Sequence, residues 1–223
     1  WVSPSNPTGT VYTKEEAEII FEWAFKNNIW IISDELYEHL VYEGEKTPSP
    51  AIYDPELKNT IVVNGVAKAY AMTGWRVGWI IANDEVISIA KKIQSHATSN
   101  VSNLSQIAAT SALQNGLEET NIMKEAFNKR RISAFDVFNN IDNIKIAKPN
   151  GAFYLFPDIS YYCNNKIKNV SNSIEFCDWL LEEHYIAFIP GEVFGAEGYF
   201  RCSYALSENE LSEGLERFSE AVK

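Results

Sequence analysis

The 223-residue chain is poor in cysteine and histidine. Its three cysteines, Cys163, Cys177 and Cys202, are odd in number, widely spaced and without paired spacing, which argues against a disulfide framework or a zinc site and fits a reducing cytoplasm. The three histidines, His39, His96 and His184, are equally scattered, so each reads as a packing or surface residue and no metal site is expected. Positive charge is also scarce: 19 Lys and Arg stand against 30 Asp and Glu, a net charge of −11. That excess repels polyphosphate backbones and anionic membranes and speaks against nucleic acid as a partner. No apolar run approaches the roughly 20 residues that span a bilayer, and the start lacks a basic stretch followed by an apolar one. Internal repeats and low-complexity tracts are absent too. What remains is an ordinary globular composition, long enough for one large or two modest domains.

The first half alternates strand and helix signals. Trp1-Val2-Ser3 reads as the end of a buried strand with no strand body before it, followed by the turn-rich Ser3-Pro4-Ser5-Asn6-Pro7-Thr8-Gly9. Thr13 and Glu16 form a capping box, and Ala17, Ile20, Phe21 and Ala24 recur at helical spacing. Ile29 to Ile32 is too apolar for a strand with a wet face, and the order of Trp1 strand end, helix and Ile29 strand implies a right-handed parallel crossover; Ile61-Val62-Val63 is another covered strand, with one more strand near Val77 to Ile81. Helices are predicted near 84–98, 103–115 and 118–140. Strands are then expected at Ile144–Ile146, Phe153–Phe156, Ile186–Ile189 and Tyr199–Ser203, with helices near 172–184 and 207–222, the latter opened by a Ser207/Glu210 capping box. The fold class is α/β, with a domain boundary near residue 116 and a smaller α+β domain over 117–223.

Candidate chemistry concentrates in Asn64 to Gly78. Lys68 follows a few residues past the carboxyl end of the Ile61 strand, where open α/β sheets bind ligands. A lysine held in a partly dry pocket loses its proton more readily, and the neutral amine is the form that attacks an aldehyde. Arg76 offers a planar fork for phosphate; the bland alternative is a surface Lys and Arg beside a turn. Asp34 and Tyr37 sit just past an apolar strand, a poor place for a carboxylate unless a cation awaits it, although Asp34 could instead cap a turn. Asn6 lies in a turn of a common kind. Arg201 lies in a predicted strand, where it needs an anionic partner or else forms a rim salt bridge. The aromatics of Gly151 to Tyr154 and Ile189 to Gly195 serve a site or a core equally well.

Asn64 to Gly78 resembles the lysine signature of class I, fold-type-I aminotransferases, with an accepted residue at every motif position from Gly65 to Gly78. Ala67 stands where many members carry a phosphate-binding serine, as is common in the aspartate/prephenate branch. The lysine loop, Asp34-x-x-Tyr37, Asn6-Pro7-Thr8-Gly9 and Arg201 occur in family order. The resemblance implies pyridoxal 5′-phosphate as cofactor, with Lys68 as its aldimine lysine and proton shuttle and Arg76 on its phosphate. It implies Asp34 on the pyridine nitrogen and Tyr37 and Asn6 on the phenolate oxygen. Asn6 and Arg201 then hold the substrate carboxylate, and the Asn6–Pro7 bond is cis. It further implies ping-pong transfer between an amino acid such as aspartate and a 2-oxo acid, and a homodimer with shared sites. Residues 1–116 then belong to a large domain, a mostly parallel sheet with helices on both faces. The match covers only the second half of the family's length, so the expectation is an incomplete chain lacking parts upstream of Trp1. Two alternatives stay open: a pyridoxal-phosphate lyase of the same fold, and the ligand-sensing, non-catalytic domain of a transcription regulator.

Overall fold

The computed structural model describes residues 1–164 and 166–223. The chain divides into two compact units, residues 1–4 with 11–124, and residues 5–10 with 125–223.

In the first unit, the Thr13 hydroxyl accepts the Glu16 N–H and the Glu16 carboxylate accepts the Thr13 N–H. This capping box opens α1 (Lys14–Lys26), which buries Ala17, Phe21 and Ala24 against Ile31 of β1 (Ile31–Asp34). The β1 strand pairs in parallel with β2 (Thr60–Gly65), and β2 pairs antiparallel with β3 (Gly78–Ile81). Val2 makes a parallel bridge to Asp34, so the chain start, α1 and β1 form the expected strand–helix–strand crossover. The first strand begins two residues later than its apolar run suggests, and Ile32 on the face away from α1 is 57% exposed. An apolar run reports what a strand can bury; here one face is covered. Helices α2 (Asp84–Ala97), α3 (Asn103–Asn115) and α4 (Leu117–Asn139) follow.

The second unit is built on a three-stranded antiparallel sheet in the order β4 (Tyr154–Leu155), β6 (Phe200–Ser203), β5 (Ile189–Pro190). Helices α5 (Ser173–His184) and α6 (Glu208–Ala221) pack on it, α6 opened by the Ser207/Glu210 capping box. Phe200, the first residue of the central strand β6, stacks on Phe188 at 4.3 Å between centroids and meets Phe138, Phe176 and Phe218 from three helices. Two strand expectations change. Ile144–Ile146 is reduced to a single bridge between Lys145 and Asp158, and the Ile186–Ile189 strand moves to Ile189–Pro190. Ile144 and Ile186 are both buried; their hydrophobicity marks core contact made without ladder pairing. Among the described residues no helix is long and apolar enough to cross a membrane.

Candidate functional site

Asp34 ends β1 beside Val63 of β2, so the parallel register delivers both chains to one edge of the sheet. Just beyond, Tyr37 and Lys68 meet: Lys68 Nζ lies 5.9 Å from the centroid of the buried Tyr37 ring, within cation–π reach. Asp34 is half-buried. Its Oδ1 accepts the Leu36 N–H at 3.1 Å, and its own N–H donates to the Trp1 carbonyl at 2.9 Å. One carboxylate oxygen thus fills the turn-capping role left open from sequence, while the other keeps acceptor capacity.

Arg76 follows a 3₁₀ turn (Thr73–Trp75) with left-handed backbone, φ 55° and ψ 48°, and its Nη1 donates to the Thr73 carbonyl at 3.0 Å. Lys68 and Arg76 line one cavity of about 920 Å³ walled by β2, β3 and α2. Asp34 and Tyr37 lie outside its lining, and Lys68 connects the two groups. An amine, a guanidinium, a carboxylate and a phenol so distributed suit a ligand that combines an aldehyde, a phosphate and a protonated ring nitrogen.

Two further features hold the lysine loop. Gly65 opens it opposite Gly78, and a Cβ on Gly65 would lie 2.9 Å from the Val77 carbonyl oxygen, so only glycine allows β2 and β3 to approach this closely. Thr120 of α4, buried in the same unit, has Oγ1 3.0 Å from the Ala69 carbonyl and 2.9 Å from that of Gly116, tying the residue after Lys68 to the helix. Sequence reasoning passed over Thr120, because a threonine within a helix carries no signature of its partner.

The second unit brings Asn6 and Arg201 together. Arg201 Nη1 donates to Asn6 Oδ1 at 2.8 Å, and the Asn6–Pro7 bond is cis. The guanidinium carbon lies 4.5 Å from the Tyr154 ring centroid and 5.1 Å from that of Phe194. Its Nε is buried and, among the described residues, has no hydrogen-bond partner. An orphaned guanidinium N–H is costly and invites an acceptor. Phe194 ends the 3₁₀ turn Gly191–Phe194, in which the Glu192 carboxylate accepts the backbone N–H of Ser173 at 3.2 Å and that residue's hydroxyl, at the N-terminus of α5 where the helix dipole favours an anion.

Arg131 was also missed. It is fully buried, donating Nε to Asn128 Oδ1 at 3.0 Å and Nη1 to the Pro149 carbonyl at 2.6 Å. In sequence, Lys129-Arg130-Arg131 looks like a solvated run. The available signal was spacing: Phe127, Arg131, Ala134 and Phe138 recur every three or four residues along one buried stripe of α4. The cysteines offer no nucleophile, since burial pushes Cys163 up to about 11 and Cys177 and Cys202 up to about 12. Among the described residues no cluster of His, Cys, Asp or Glu could hold a metal ion.

The profile of the family described as "Aminotransferase class I and II" matches residues 1–218. The chain is 46% identical over its whole length to an aspartate aminotransferase of Streptomyces avermitilis, covering 55% of that protein. It is 41% identical over 99% of its length to a protein of Aquifex aeolicus named "Probable aspartate/prephenate aminotransferase", covering 56% of it. Among solved structures, the aromatic aminotransferase of Pyrococcus horikoshii superimposes with a TM-score of 0.90 at 34% identity, over 99% of this chain and 58% of that one. The chain therefore spans a little over half the length of the relatives it matches.

Proposed function

The chain belongs to the class I and II aminotransferase family, and from that premise we propose that it carries the cofactor-binding and carboxylate-clamping residues of a pyridoxal-phosphate enzyme that moves an amino group from an amino acid to a 2-oxo acid. The observation that carries this reading is the strand-end meeting of Lys68 with Tyr37, with Arg76 lining the same cavity as Lys68. Pyridoxal phosphate, when bound, supplies the electron sink that makes a Cα proton removable. The protein's own part is to hold and to move protons. Arg76 would grip the phosphate through guanidinium donors beyond the one it gives Thr73. Asp34, with one oxygen fixed by the Leu36 N–H, would keep the ring nitrogen protonated with the other. Tyr37 would donate its hydroxyl to the ring oxygen. The Lys68 amine would take the Cα proton as general base and return it as general acid. Arg201, steered by Asn6 and braced by Tyr154 and Phe194, would present its fork to the substrate carboxylate.

The relatives' names support aspartate as donor, and the aromatic aminotransferase among the structural neighbours favours a second reading, an aromatic donor, on the same clamp. A homodimer fits the large apolar side chains left exposed on α2 and α3, among them Ile93, Leu104 and Ile107. The free, buried cysteines suit a reducing compartment such as the cytoplasm. The domain boundary is read near residue 116. To test the assignment, the intact protein is mixed with pyridoxal phosphate, reduced with borohydride and digested. The label is expected on the Lys68 peptide and absent from Lys68→Ala; label on a different lysine would remove the basis for the reading.

A further inference from the structure

We propose that Arg131 is a positioning residue for the Asn6–Arg201 pair, acting through the turn at Pro149 to Gly151. The inference rests on the reading of Asn6 and Arg201 as the substrate-carboxylate clamp. A guanidinium with no exposure is costly unless its donors are met by fixed acceptors, and Arg131 spends Nη1 on the Pro149 carbonyl. That turn supports both halves of the clamp. On one side, the N–H groups of Asn150 and Gly151 both donate to the Gly9 carbonyl at 2.9 Å, and Gly9 presses so closely that a Cβ there would lie 2.3 Å from Pro149 Cβ. Gly9 in turn donates to the Ser5 carbonyl and Ser5 to that of Thr10, closing the loop that presents Asn6. On the other side, Ala152 leaves the turn with left-handed backbone, φ 57°, its carbonyl accepting the Tyr204 hydroxyl at 3.2 Å, and the chain runs directly into Tyr154, whose ring lies against Arg201. A displaced Pro149 turn would therefore move Asn6 and the Tyr154 platform together.

A side chain that merely fills the core would affect folding alone, whereas a positioning residue must act through the clamp. The test uses the intact protein loaded with pyridoxal phosphate, in wild-type and Arg201→Lys backgrounds, with Arg131→Lys and Arg131→Met in each. Circular dichroism fixes a temperature at which the variants under comparison are folded; should Arg131→Met fail to fold, the lysine variant carries the test. Calorimetry measures binding of succinate, a dicarboxylate that cannot react, and steady-state kinetics give kcat and KM for aspartate and 2-oxoglutarate. In the wild-type background, Arg131→Lys should raise the succinate Kd and both KM values by on the order of tenfold, the scale at which a small misplacement of binding groups is felt, with kcat within about threefold. In the Arg201→Lys background the same change should alter Kd by less than about twofold, because coupled residues are not additive. Equal factors in the two backgrounds, or a fall in kcat with KM unchanged, would overturn the proposal. An Arg201→Lys control that binds succinate as tightly as wild type would instead refute the clamp reading and this inference with it.

Discussion

At Arg201 the guanidinium lies against the Tyr154 and Phe194 rings, with one donor on Asn6 and a buried Nε unpaired among the described residues. An ammonium cannot present two parallel N–H donors to a carboxylate, nor stack as a plane. Arg201→Lys should therefore lower kcat/KM for the amino acid and the oxo acid alike. A charge-assisted bond worth about 1.5–3 kcal/mol corresponds to a loss on the order of ten- to a hundredfold. Steady-state kinetics with each substrate decide the matter, and unchanged values for both would strip Arg201 of its role. The residues that stand out in the sequence, Lys68, Asp34 and Arg201, share one property: each is a charged or titratable group near apolar strand residues, a combination that needs explaining. Arg131 escaped because its burial is a property of helix packing, and Thr120 because its partner, the Ala69 carbonyl, is 51 residues away.

Among the elements, β2 carries the lysine loop, and its start is fixed by Asp54. That carboxylate accepts the backbone N–H groups of Lys58 and Asn59 at 3.0 and 2.8 Å and the Thr60 hydroxyl at 2.9 Å. Burial works to raise the Asp54 pKa, but the hydrogen bonds from Asn59, Lys58 and Thr60 bring it below its ordinary value of 3.8. A pKa lower in the folded than in the unfolded state means that the stabilisation is complete above about 3.8 and is lost as pH falls through the folded-state value. Asp54→Asn should cost on the order of 1–3 kcal/mol at neutral pH. Urea unfolding of both proteins at about pH 7, 4.5 and 3 should give a constant gap across the first two and a smaller one at the third. A gap that already closes between the first two, or stays undiminished at the third, contradicts the assignment. The helices were legible to within two residues because caps and spacing agree: Thr13 with Glu16 and Ser207 with Glu210 close where the sequence sets them. Short strands were less so. Ile144 and Ile186 are buried side chains that lie outside the named strands, and a few apolar residues in a short stretch do not distinguish core contact from a ladder.

For the molecule as a whole, residues 5–10 group with residues 125–223, and no local pattern announces this, because the grouping depends on contacts between Gly9 and the Pro149 turn, 140 residues further along the chain. The central claim is that this chain's lysine, aspartate and arginines serve amino-group transfer. The most direct measurement follows nitrogen. The intact protein, loaded with pyridoxal phosphate, is given ¹⁵N-aspartate and 2-oxoglutarate, and the products are resolved by mass spectrometry. The account predicts ¹⁵N-glutamate and oxaloacetate in equal amounts, formed over many turnovers by wild type and not by Lys68→Ala. Release of ¹⁵N-ammonia without labelled glutamate, or transfer undiminished in Lys68→Ala, would contradict it.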